Sequence, residues 1–170
     1  GENGRALNYF DRAIEKADTI NNPRLKLNAQ IAKAKTHLRL GDIELAESIA
    51  QSIPVDKISK HMFCDIQIIE THIHLKKNEL KLAEESIDGI LKLTKELCSE
   101  MRYGIALGLK ALILLHRDMQ SEALVNLKNS KDTLLANGEM PYLSEILVDF
   151  GLDMGGAQGE TIFLEGLEIL

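Results

Sequence analysis

The stretch LRLGDIELAESI, beginning at Leu38, is nearly rewritten as LKKNELKLAEES from Leu75, 37 positions further on. A chain that repeats itself at such a period is expected to stack small helical units, each too small to bury its apolar face alone. The small residues Ala46 and Ala83 have counterparts at Ala6 and Ala123, so the spacing runs 40, 37 and 40. Each alanine opens a stripe at offsets of four and seven: Phe10 and Ala13, Ala50 and Ile53, Ile87 and Ile90, Leu127 and Ser130. Those offsets put every set on one face of an α-helix.

Five residues before each alanine stands Gly1, Gly41, Asn78 or Asp118. These residue types accept a left-handed backbone, which a chain needs when it leaves one helix to begin another. Glu2, Asp42 and Glu79 follow three of these hinges and suit the positive end of the next helix. Continuing the spacing predicts a fifth hinge at Gly156, within GGAQGE. Upstream of the hinges lie second stripes: Leu27, Ile31, Ala34 and Leu38; Ile66, Ile69 and Ile73; Leu107, Ala111 and Leu114. The pattern predicts helices near 3–20, 24–40, 42–53, 57–76, 79–98, 101–116, 120–137, 140–153 and 158–170. Pro23, Pro54 and Pro141 fall between or at the starts of these segments, where proline costs least.

Composition agrees with an all-α chain. Trp is absent, aromatics make up 4% and there are 3 prolines, too little aromatic and turn chemistry for a β-sandwich. A net charge of −6 argues against a nucleic-acid or anionic-membrane surface. The longest apolar stretch, Ile105–Leu115, is broken by Lys110 and is too short for a bilayer. Cys64 and Cys98, 34 apart and in no CxxC spacing, read as two core thiols in a reducing compartment. That favours an intracellular, cytoplasmic location, with the nucleus also open.

No catalytic or metal pattern emerges. His72 and His74 are two apart, about 200° around a helix, so they cannot hold one ion together. His37 and His74 occupy equivalent repeat positions and read as packing or rim residues. GGAQGE lacks the Lys and Ser/Thr of a phosphate-binding loop and reads as an interhelical turn. Glu84 and Glu85 read as solvated helix charges. The chain is expected to be no enzyme and to use no cofactor.

Taken together, the small residues and hinges resemble an array of tetratricopeptide repeats, in a long-repeat variant. The resemblance rests on Ala6, Phe10 and Ala13, then on the sets Ala34, Gly41, Ala46; Thr71, Asn78, Ala83; and Ala111, Asp118, Ala123. It covers essentially the whole chain. The family's aromatic is replaced by Gln30, Gln67 and Leu107, its closing proline is missing, and the match at Asp149 and Thr161 is weakest. The resemblance implies a right-handed superhelical stack of antiparallel helix pairs, an α-solenoid of about four and a half repeats. The whole of 1–170 would be one such domain: a half repeat over 1–23, then pairs over 24–56, 57–100, 101–138 and 139–170. A single-ended first half repeat and an apolar close at Leu164, Leu167, Ile169 and Leu170 suggest a segment of a longer array, or ends that pack on something.

In this family the first helix of each pair lines a concave groove. Carried over, the lining is Asn28, Ile31, Lys35, Leu38 and Arg39; then Asp65, Ile68, His72, Leu75 and Lys76; then Ile105, Leu112 and His116. The resemblance thus implies an apolar floor with basic residues along it, suited to an acidic amphipathic peptide or helix of another protein. The same residues also read as ordinary amphipathic side chains on a solvated surface. A basic clamp for a C-terminal carboxylate is not expected, since among Ile31, Lys35, Ile69, Ile105 and Leu109 one residue is basic. The leading expectation is a protein-interaction scaffold. The alternatives are a regulatory sensor array of a signalling ATPase or transcription regulator, and a self-assembly module built from the apolar ends.

Overall fold

A computed structural model describes residues 2–169, and the hinge expected at Gly1 and the apolar residue Leu170 lie outside them. Nine α-helices occur among the described residues, with no strand. They are α1 (Glu2–Thr19), α2 (Pro23–Leu40), α3 (Ile43–Gln51), α4 (Lys60–Lys76), α5 (Leu80–Glu96), α6 (Glu100–His116), α7 (Gln120–Ala136), α8 (Met140–Met154) and α9 (Gly156–Glu168). A single 3₁₀ turn, Val55–Lys57, follows Pro54 and delays the start of α4. Proline at that point cannot donate a helical hydrogen bond, so the chain leaves α3 at Gln51 rather than at the predicted residue 53.

The hinges lie where the repeat spacing puts them. Gly41, Asn78, Asp118 and Gly156 all have positive φ, at 80°, 59°, 60° and 64°. Asn21, Cys98 and Gly138 do the same at the alternate junctions, with φ of 51°, 49° and 71°. The bonds recur as well. Gly41 and Asp42 donate to Leu38 and His37, Asp118 and Met119 to Leu115 and Leu114, and Gly138 and Glu139 to Leu135 and Leu134. This paired closure satisfies carbonyls that the helix end would otherwise leave bare. Asp42 and Glu79 do occupy the N-cap positions of α3 and α5, yet neither side chain caps the helix. Asp42 Oδ2 lies instead 3.1 Å from His37 Nδ1.

The chain divides into two compact units, the first ending at Lys76 and the second beginning at Lys77. The boundary falls inside the helix pair assigned from sequence to 57–100. In the first unit α1 packs on α2, α2 on α3, and both α2 and α3 on α4. Its core gathers Leu27, Ile31, Ala34 and Leu38 of α2 with Ala46 and Ala50 of α3 and with Ile66, Ile69 and Ile73 of α4. In the second unit α5 packs on α6, α6 on α7 and α8, α7 on α8, and α8 on α9. Within each unit the helices pack on those one or two places along the chain. Six small residues at repeat positions, Ala34, Ala46, Thr71, Ala83, Ala111 and Ala123, are fully buried, whereas Ala6 and Ala13 of the opening half repeat are half-buried.

The last pair departs from that register. Asp149 and Thr161 stand at the repeat positions, but the tight contact is made by Gly151 of α8 and Gly159 of α9. A Cβ on Gly151 would lie 2.6 Å from the Gly159 carbonyl oxygen and 2.5 Å from the Phe163 nitrogen. The sequence GGAQGE is likewise more than a turn: Gly155 and Gly156 reverse the chain, and Gly156 already begins α9. Cys64 is buried, whereas Cys98 is exposed at its left-handed turn, so the expectation of two core thiols holds for Cys64 alone.

Candidate functional site

The first unit brings two first-helix faces together, because α2 packs on α4. Lys35 of α2 donates from Nζ to Asp65 Oδ1 of α4 at 3.3 Å, and the two side chains are 22% and 14% exposed. Arg39 lies one turn beyond Lys35, while His72 and Lys76 lie two and three turns beyond Asp65 on the same stripe. Asn28, Arg39 and Lys76 are exposed. Ile31, Leu38, Ile68, His72 and Leu75 are buried. The expected apolar floor is therefore closed: Ile31 and Leu38 belong to the core, where burial of such side chains contributes about 1.5–3 kcal/mol each. What this face offers outward is polar: Lys35 paired with Asp65, with Arg39 and Lys76 further along the two stripes.

In the second unit the three named residues separate by environment. Ile105 and Leu112 of α6 are buried, and His116 is exposed in the last turn of the same helix. His116 Nε2 lies 3.0 Å from Asp153 Oδ2, which links the ends of α6 and α8. Asp153 was not legible from the sequence, since its partnership with His116 spans almost one repeat length and follows no local pattern.

A second polar group on α4 also escaped sequence reasoning. Gln67 Nε2 donates to Glu70 Oε2 at 2.6 Å, and partial burial pushes the Glu70 carboxyl above its usual range, with nearby His74 pulling the other way. The spacing Gln67, Glu70, His74 is a helical i, i+3, i+7 set that could have signalled it. His72 is buried and His74 half-buried, in keeping with their different directions around the helix. His37 is buried against Asp42 at the end of α2. Among the described residues no three His, Cys, Asp or Glu side chains gather as a metal ion would need.

Several other charges tie neighbouring helices or their ends together. Glu84 accepts two bonds of 2.5 Å from Arg117, and this pairing holds the Glu84 carboxyl below its usual range. Lys110 bonds Asp88 at 3.1 Å, and Lys131 pairs with Glu165. No helix among the described residues is long and apolar enough to cross a membrane.

Comparisons with protein-family models, with curated proteins and with solved structures find no match to this chain.

Proposed function

We propose that the chain is a tetratricopeptide-like stack that acts as a non-catalytic scaffold, using the basic α2–α4 face to take an acidic segment of another protein. Three features support the architecture: left-handed turns at a fixed register, six fully buried small residues at the repeat positions of α2 to α7, and packing confined to near neighbours within each unit. The observation that carries the binding reading is the placement of Lys35, Arg39 and Lys76 along one face of a chain whose net charge is −6. Cations along one face of an acidic chain attract carboxylates and set orientation more than raw affinity. Asp65 holds Lys35 in place, so a partner carboxylate would meet a positioned ammonium rather than a mobile one.

A helical peptide with Glu along one face, and its Lys-for-Glu counterpart as control, tests this reading. The acidic peptide binds, the basic one does not, and Lys35→Glu and Lys76→Glu each weaken binding by roughly tenfold while helicity is retained. Equal affinity of the parent and both variants ends the proposal.

A further inference from the structure

Helices α1 and α9 carry opposite charges around an exposed apolar side chain. On α1, Arg5, Tyr9 and Arg12 follow at offsets of four and seven and share one stripe, where Tyr9 is 65% exposed. They border an open depression of about 460 Å³, and Gly4 beside them leaves it unfilled. Two acidic residues of α1 are engaged elsewhere, Asp11 with Lys33 at 2.6 Å and Asp18 with Lys26 at 2.8 Å, while Glu15 is exposed one turn beyond Arg12. Arg5 and Arg12 have no carboxylate partner among the described residues.

On α9, Glu160, Leu164 and Glu168 follow at offsets of four and eight, again one stripe, with Leu164 50% exposed. Neither glutamate has a cationic partner among the described residues, because the pair made by α9 uses Glu165. At ~1.5 Å per residue, Arg5 and Arg12 stand about 10.5 Å apart and Glu160 and Glu168 about 12 Å apart. Laid together in either direction, the two stripes oppose Tyr9 to Leu164 and each arginine to a glutamate.

We infer that α9 of one copy docks on α1 of a second copy, with Arg5 and Arg12 meeting Glu160 and Glu168. The two patches differ, so the contact is head-to-tail, and each copy has one patch of each kind to offer further copies. This inference is independent of the α2–α4 face.

Sedimentation of the 170-residue chain over a range of concentrations tests it. The expected result is an average mass that rises with concentration and falls with added salt. Arg5→Glu with Arg12→Glu, or Glu160→Lys with Glu168→Lys, weakens association at least ~10-fold, and all four substitutions in one chain restore it. Arg5→Gln with Arg12→Gln weakens it less, and serves where the charge reversal disturbs folding. A monomer at every concentration overturns the inference and leaves α1 to an acidic helix of another protein. Association that ignores the charge reversals, or is not restored by the fourfold exchange, overturns it equally.

Discussion

The two units solve the same problem, bringing helix backbones close, and both bury alanine where helices meet, but the second adds glycine. In the first unit alanine suffices: Ala34 and Ala46 are fully buried amid isoleucines, and each methyl still fills space. The second unit goes further and uses glycine. A Cβ added to Gly108 of α6 would lie 2.4 Å from Ile146 Cδ1 of α8, and one on Gly166 of α9 would lie 3.0 Å from the Val148 nitrogen of α8. Closer backbones also allow a polar bond across the crossing. Ser130 of α7 donates to the Gly104 carbonyl of α6, and Ser144 of α8 to that of Gly166, both at 2.7 Å and both buried. Each glycine costs about 1 kcal/mol of helix propensity relative to alanine, so such sites persist only where contact returns more than that. Packing distance, rather than hydrophobic area alone, distinguishes the units.

The largest effect should come from Gly151→Ala. Its new methyl would meet backbone atoms of α9 at 2.5 Å and 2.6 Å, and backbone cannot swing aside. Overpacking of this kind costs roughly 1–3 kcal/mol or more, and the ~1 kcal/mol gained in helix propensity offsets only part. The expected outcome is a net loss of about 2 kcal/mol in chemical denaturation, with faster amide exchange in α8 and α9. The opposite change in the first unit, Ala46→Gly, should cost about 1–2 kcal/mol through lost propensity and a lost buried methyl. Gly89 is the control: its Cβ position is open, so Gly89→Ala should stabilise α5 by about 0.5–1 kcal/mol. A neutral Gly151→Ala would erase the distinction between the units.

How much of this was legible follows from the same chemistry. The repeat period and the hinges at Gly41, Asn78 and Asp118 stand out because glycine, asparagine and aspartate are the residues that accept positive φ. Cys98 at 49° escaped because nothing in a cysteine announces a left-handed turn. The last crossing escaped for a different reason: Gly151 and Gly159 are each displaced by two positions from Asp149 and Thr161, so a fixed register passes over them. Of the candidate face, the helical stripes were readable, since they need only the period of the helix. The closure of Ile31, Leu38, Ile68 and Leu75 was not, because a stripe tells which side a residue is on but not how deeply its neighbours cover it.

An intermediate effect is expected at the α6–α8 crossing. Gly108→Ala puts its methyl against the side chain of Ile146 rather than against backbone. Ile146 can rotate or be trimmed, so the cost should be about 1 kcal/mol and should shrink when combined with Ile146→Val, which removes the nearest methyl. A double-mutant cycle measures that coupling, with an expected interaction of 0.5 kcal/mol or more. Purely additive losses would mean that Gly108 matters for something other than its closeness to Ile146.

The smallest effect belongs to the first unit, where the polar strain lies in a carboxylate rather than a crossing. Partial burial of Glu70 favours its protonated form and raises its pKa above the unfolded value, despite His74 nearby. A carboxyl raised in this sense binds its proton more tightly when folded. Its contribution to stability is therefore present below the unfolded pKa and is lost as pH rises through the folded one. Glu70→Gln removes the ionisation while keeping a group that can accept from Gln67 Nε2, which now donates to the carboxylate at 2.6 Å. The variant should thus melt slightly higher than the parent at neutral pH, and the gap should close as the pH falls below the ordinary carboxylate range. Thermal melts at both ends of that window decide the matter. A gap that widens toward acid would show that the ionised carboxylate stabilises α4, most directly through its bond to Gln67 and the His74 charge.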